Sequence, residues 1–263
     1  DFDYLKWFIN ECHNREIEFH AWLNPYRIRT GGYPEGTTVE DVAKQYENYP
    51  LNPAKDPKNI LMTSSNGAIL NPCKDVVQKY IIDVCNELME NYDIDAIHFD
   101  DYFYAQMSKD IDVLIEADQD DYVNFINSNP NCNYKADNAD DKKQWRRDNI
   151  DNFIYKLYSA MTDFNIQNGK GVQLGISPTG IYRNGNGSIT SGSNTAGQEH
   201  YSSYLFCDTV NWINNEWIDY IMPQSYWAFT HSVAGYADVM DWWNSVVEGK
   251  KVNLYSGIGI YMS

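Results

Sequence analysis

A chain of 263 residues, 43% hydrophobic and 22% charged, can bury one large core and has the composition of an ordinary soluble globular protein, which excludes a disordered or fibrous chain. A formal net charge of −17 argues against a nucleic-acid partner, because the phosphate backbone is gripped by clustered Lys and Arg. No apolar run approaches the ~20 residues of a membrane helix, and without lysine-rich patches direct electrostatic attachment to anionic lipid is not expected.

The first element, about Asp1 to Arg15, puts Leu5, Phe8, Ile9 and Cys12 on one helical face. A strand at Phe19 to Leu23 runs into Asn24-Pro25, and the segment from there to Asn71, rich in Gly, Pro and Tyr, reads as a loop too long to be a mere connector. After Asn71-Pro72 a helix carries Val76, Val77, Tyr80, Ile81, Val84 and Leu88 toward a strand at Asp95 to Phe99. A polar stretch, Ala105 to Asp141, precedes a helix from Gln144 to Phe164 with Ile150, Phe153, Ile154, Leu157 and Met161 as its apolar stripe, and a strand from Val172 to Ser177. Asn184 to Gly197, crowded with Gly, Ser and Asn, reads as a mobile loop. A helix Ser202 to Asn214, a strand Tyr220 to Gln224, a helix Tyr236 to Val247 and a strand Val252 to Ile260 complete the series.

Strands alternating with helices predict an α/β fold with a parallel sheet, and the length suits one TIM (β/α)8 barrel domain over 1–263. Only five strands are counted where a barrel has eight, so the barrel is expected to lack its first two strands, with the presence of its last left open. The chain opens at Asp1 inside a predicted helix and reads as an excised segment, so a missing signal peptide says nothing about location. The five cysteines (Cys12, Cys73, Cys85, Cys132 and Cys207) show no C-x-x-C spacing, and neither a zinc site nor any cofactor is expected.

In a parallel barrel successive side chains alternate between the interior and the helix layer. With Ile97 and Phe99 suited to the helix layer, His98 and Asp100 point inward, and Asp100 stands at the carboxyl end where barrel active sites sit. The same parity turns His20, Trp22 and Asn24 inward, then Gly175 and Ser177, then Met222, Gln224 and Tyr226, then Gly257, Gly259 and Tyr261. So polar an interior is better explained by a ligand than by stability. Asp100 is the candidate ionised carboxylate, with a structural tie to Arg27 or His98 as the alternative. Asp101, whose alternative is a solvated or capping role, and Glu199, in the loop after the Val172 strand, are candidates for the general acid. Arg27 and Arg183 could hold an anionic or N-acetylated group, and Asn24 and Gln224 suit sugar hydroxyls. His20 and His98 either contact the sugar or are hydrogen-bonded interior groups. Trp22, Tyr102, Tyr104, Tyr226 and Trp227 could stack on sugar rings, or simply pack.

Four segments carry a family resemblance: His20-Ala21-Trp22-Leu23-Asn24-Pro25-Tyr26-Arg27, Ile97 to Tyr104 (IHFDDYFY), Gly175-Ile176-Ser177-Pro178, and Tyr220 to Trp227 (YIMPQSYW). In this order they resemble the glycosyl-hydrolase-like family 10 of bacterial cell-envelope barrels. The resemblance implies a TIM barrel, an exported or envelope-attached protein, and a polysaccharide substrate, with peptidoglycan glycan strands stripped of stem peptides as one known case. The acidic pair also resembles that of α-galactosidase-type barrels, which implies a nucleophile or charge-stabilising role for Asp100. Two other readings stand beside glycoside hydrolysis. One is a metal-dependent hydrolase using His20, His98 and Asp100, and the other is a carbohydrate-binding barrel without catalysis.

Overall fold

The computed structural model describes residues 2–110 and 112–260. Its main sheet has five strands, all parallel: β1 (His20–Leu23), β5 (Ala96–Phe99), β6 (Gln173–Ile176), β7 (Tyr220–Ile221) and β8 (Asn253–Leu254). They lie side by side in chain order, the strand sequence of a (β/α) barrel. Helices α3 (Asp75–Asn91), α5 (Ala139–Asn168), α6 (Thr209–Asn214) and α7 (Tyr236–Val247) occupy the crossovers. The helix layer meets the sheet where parity requires: Phe99 is fully buried and stacks on Phe153 of α5, ring centroids 5.9 Å apart.

Local chemistry sets the helix limits. The Asn138 side chain accepts from the amides of Asp140 and Asp141 to start α5, and Gly169 ends it in the left-handed region at φ 61°. All five apolar residues expected along this helix are buried. It runs 30 residues, longer than the apolar stripe suggests, because its first turns bury Arg147 against Tyr201, and Trp145 and Arg146 against the preceding segment. There Arg146 binds Asp118 through two nitrogens at 2.8 and 2.6 Å and Glu116 at 2.7 Å, with Lys142 2.8 Å from Asp118, all out of solvent. In α3 the buried stripe is Val77, Ile81, Cys85 and Met89, and Val76 faces solvent. The first helix, α1, is Tyr4–His13.

Several boundaries differ from the sequence reading. The long loop after β1 folds into a three-stranded antiparallel sheet of its own, β2 (Arg27–Arg29), β4 (Ala68–Leu70) and β3 (Ile60–Met62) in that order, with helix α2 (Val39–Lys44) capped by a Thr38–Asp41 box. The polar stretch 105–141 contains helix α4 (Gln119–Ser128). The helix expected from Ser202 begins only at Thr209, because Tyr204 and Phe206 hold positive φ (54° and 47°), which a right-handed helix excludes. The last strand is Asn253–Leu254; beyond it the Gly257 backbone bridges to Gln224, while Tyr261 lies outside the described residues. The Asn184 to Gly197 segment is tied down: Asn184 exchanges two 2.8 Å bonds with Gly197, and Trp242 donates to the Ser188 carbonyl at 3.0 Å. No helix among the described residues is long and apolar enough to cross a membrane.

Candidate active site

Parity and register together assemble one row of side chains on the sheet face away from the helices. Trp22, His98, Gly175 and Tyr220 are successive cross-strand partners. Because Gly175 has no side chain, the Tyr220 ring lies across it, and its hydroxyl sits 2.8 Å from Nδ1 of both His20 and His98. Nε2 of His98 is 2.9 Å from the Ser177 hydroxyl. Burial, then the neighbouring His20, lower His98 to about 4, so it is neutral at physiological pH. Tyr220 escaped the sequence reading, although the parity that singled out Met222 and Gln224 also covers residue 220.

Just beyond the strand ends stands the carboxylate pair. Asp100 accepts from Nε2 of Gln224 at 3.0 Å, Nδ2 of Asn24 at 3.3 Å and the Asp101 amide at 2.9 Å. Only donors meet it in these contacts, as an acceptor-only carboxylate requires. Gln224 gives its other amide bond to the Ser177 carbonyl at 2.9 Å, so it is fixed between two strands. Neither Arg27 nor His98 is the partner of Asp100 that the structural alternative envisaged. Asp101 is buried, and its surroundings are the reverse. Desolvation, followed by the adjoining Asp100 charge, pushes its carboxyl up to about 7, and Arg27 opposes the rise.

Both carboxyls open into a cavity of about 350 Å³ whose walls include Trp22, His98, Tyr102, Ser177, Gln224 and Tyr226. Tyr102 also lines a second cavity, of about 340 Å³, between the inserted sheet (Arg29, Thr30, Thr63, Ser65) and the segment Tyr102 to Gln106. Arg27 lines that second cavity and lies flat on the Tyr102 ring, 3.6 Å from its centroid. At Tyr226 the first cavity adjoins a third of about 380 Å³, lined by Trp227, Phe229 and Gly259. The cavity of the acidic pair thus shares a wall residue with each of two neighbouring cavities. Three buried polar atoms beside the pair have no protein partner: Oδ1 of Asn24, Nε of Arg27 and Oδ1 of Asp101. Such orphans cost free energy unless a ligand meets them.

Three expected residues stand elsewhere. The Glu199 carboxylate is taken up by the amide and side chain of Asn184 and by the Ser202 hydroxyl, and it does not line the cavity of the acidic pair. The loop that was thought to deliver it folds back on itself instead. Arg183 stacks on Tyr201, 3.5 Å from the ring centroid, and does not line that cavity. Tyr104 is fully buried edge-on to Phe206, its hydroxyl receiving Nδ2 of Asn149 at 3.4 Å, so it offers no platform. The metal reading also loses its ligands: both ring nitrogens of His20 and of His98 are committed to side chains, and no group of three metal-binding side chains occurs among the described residues.

Comparison with known proteins gives a consistent result. The family model described as glycosyl hydrolase-like 10 matches residues 1–262. A glycosyl hydrolase of Bacillus subtilis strain 168, YngK, is 33% identical over 260 residues, covering 99% of this chain and 46% of that protein. A glycosyl hydrolase of Escherichia coli K12, DigH, is 29% identical over 260 residues, covering 99% of this chain and 54% of that protein. The chain thus spans about half the length of these curated relatives. Among solved structures, an alpha-galactosidase from Lactobacillus brevis aligns over 96% of this chain and 28% of its own at 10% identity, with a TM-score of 0.38.

Proposed function

We propose that this chain, which belongs to the glycosyl hydrolase-like 10 family, is a glycoside hydrolase acting on O-glycosidic bonds of a bacterial polysaccharide, with peptidoglycan glycan strands as the leading candidate. The observation that carries the reading is the split environment of two adjacent carboxyls at the end of β5. Glycoside hydrolysis generally needs one carboxylate to attack or to stabilise positive charge, and one carboxylic acid to protonate the leaving oxygen. Asp100, ringed by donors, suits the first role. Asp101, buried and raised to about 7, holds a proton near neutral pH and suits the second.

The rest of the cleft supports a sugar ligand. Trp22 (57% exposed), Tyr102 and Tyr226 present rings for stacking. The side chains of Asn24 and Arg27 keep unsatisfied polar atoms beside the pair, which hydroxyl or acetamido groups could meet. Two further cavities share wall residues with that of the pair, which is room in keeping with a chain-like substrate. On this reading the protein works outside the cytoplasm, at the cell envelope, where such glycans are.

The test is release of reducing ends from a glycan panel that includes denuded peptidoglycan strands, by the intact protein and its Asp100→Asn variant. Release that the substitution abolishes, with folding and glycan binding retained, is the expected outcome. Binding without release by the unmodified protein would instead mark a carbohydrate-binding barrel.

A further inference from the structure

Behind the cleft, five side chains form one uninterrupted line of hydrogen bonds. Glu18 Oε2 lies 3.0 Å from His20 Nε2, and His20 Nδ1 lies 2.8 Å from the Tyr220 hydroxyl. That hydroxyl is 2.8 Å from His98 Nδ1, and His98 Nε2 is 2.9 Å from the Ser177 hydroxyl. The outer end, Glu18, is exposed; the inner end, Ser177, is buried and lines the cavity of the acidic pair.

Where neither imidazole carries a second proton, this line has one direction. An ionised carboxylate only accepts, so Nε2 of His20 carries the hydrogen and its lone pair is at Nδ1. The Tyr220 hydroxyl must then donate to His20, which leaves its oxygen to accept from Nδ1–H of His98. The lone pair of His98 is therefore at Nε2, and Ser177 donates its only hydrogen there. The competing acceptor for that hydrogen, the Phe99 carbonyl, is 3.4 Å away, at the weak end of the hydrogen-bond range.

We infer that Ser177 offers the cleft lone pairs alone and is a specificity residue that accepts a hydrogen bond from a sugar hydroxyl, its polarity set by Glu18 at the far end of the line. The sugar part of this inference rests on the glycoside hydrolase reading; the direction of the line does not. His20, Tyr220 and His98 are positioning residues that act through Ser177. With the line reversed, Ser177 would accept from His98 and keep its hydrogen to donate, so it could also meet a carbonyl or ring oxygen, which lone pairs alone cannot.

The test is the ring 15N spectrum of histidine-labelled protein at mildly alkaline pH, with His98 assigned from the His98→Gln variant. His98 is expected as the Nδ1–H tautomer. In Glu18→Gln, a surface change whose amide can donate or accept, the Nε2–H tautomer is expected to appear beside it. Nε2–H as the main form in the unmodified protein would overturn the inferred direction. In parallel, Ser177→Ala is expected to raise KM for glycan about fivefold to tenfold with kcat little changed; an unchanged KM would overturn the sugar contact. If the intact protein released no reducing ends while His98 remained Nδ1–H, the glycosidase reading and the sugar role would fall together and the direction would survive.

Discussion

Gly175 and Tyr220 are cross-strand partners that occupy one space: a Cβ on Gly175 would lie 1.8 Å from Cζ of the Tyr220 ring. Substituting Gly175→Ala must therefore push the phenol off the sheet and pull its hydroxyl from His20 and His98. Overpacking of this kind typically costs about 1–3 kcal/mol, and chemical denaturation should show at least that loss. Tyr220→Phe, which keeps the ring and removes only the hydroxyl, should cost about 1–3 kcal/mol by leaving two imidazole nitrogens unpaired.

Asp101→Asn removes the proposed proton donor while keeping its shape. Loss of general acid catalysis should lower kcat about 10²- to 10⁴-fold on natural glycans. Glycosides whose leaving group needs no protonation should be cleaved almost normally by this variant, whereas Asp100→Asn should fail on both substrates. Equal losses on both for Asp101→Asn would remove the acid assignment.

An acid raised to about 7 predicts an alkaline fall in kcat/KM centred near that pH, since the free protein loses the catalytic proton there. Arg27 opposes the rise, so Arg27→Met should move the limb to higher pH. The stability sign is opposite to that of an ordinary ion-paired carboxyl. Folded Asp101 keeps a proton that the unfolded chain releases, so between about pH 4 and pH 7 its contribution weakens as pH rises. Denaturation of Asp101→Asn across that range should show a flatter pH dependence than the unmodified protein.

Asp118 titrates the other way. Against the desolvation of full burial, the Arg146 guanidinium and the Lys142 ammonium hold its carboxyl below the usual range. Its stabilising contribution is present above the unfolded value and is lost as pH falls through the folded one. Asp118→Ala takes the carboxylate from buried Lys142 and leaves buried Arg146 with Glu116 alone, and should cost about 3–5 kcal/mol, measured by urea denaturation at neutral pH.

The parts of this molecule that follow short-range rules were legible in its sequence. Strand parity placed Trp22, Asn24, His98, Asp100, Ser177 and Gln224 on one face; five of these line one cavity, and Asn24 reaches it through its bond to Asp100. The period of α5 gave Phe153 and its neighbours as the face turned to the sheet. Parity has no hold beyond a strand end, and there the reading failed. Glu199 and Arg183 sit in a loop whose course depends on its own contacts, the hydrogen bonds of Glu199 with Asn184 and the stacking of Arg183 on Tyr201. Tyr104 follows a run of aromatic residues whose burial depends on Arg146 and Phe206, distant in sequence. The strands of the inserted sheet are three residues each, too short to show an alternating pattern, and they were invisible among Gly, Pro and Tyr.

The inserted sheet pairs only with itself; none of its strands joins the five that carry the acidic pair. This wall of the cleft is thus a separately hydrogen-bonded unit between β1 and α3, anchored in the common core by Ile60, Leu61, Ile69 and Leu70. Its lining residues, Thr30, Thr63 and Ser65, can change in size or polarity without disturbing a single hydrogen bond of the main sheet. Variation in what the cleft accepts is therefore free to accumulate in this wall while the chemistry stays fixed, and exchanging residues 30–65 between relatives is a natural way to move glycan preference from one member to another.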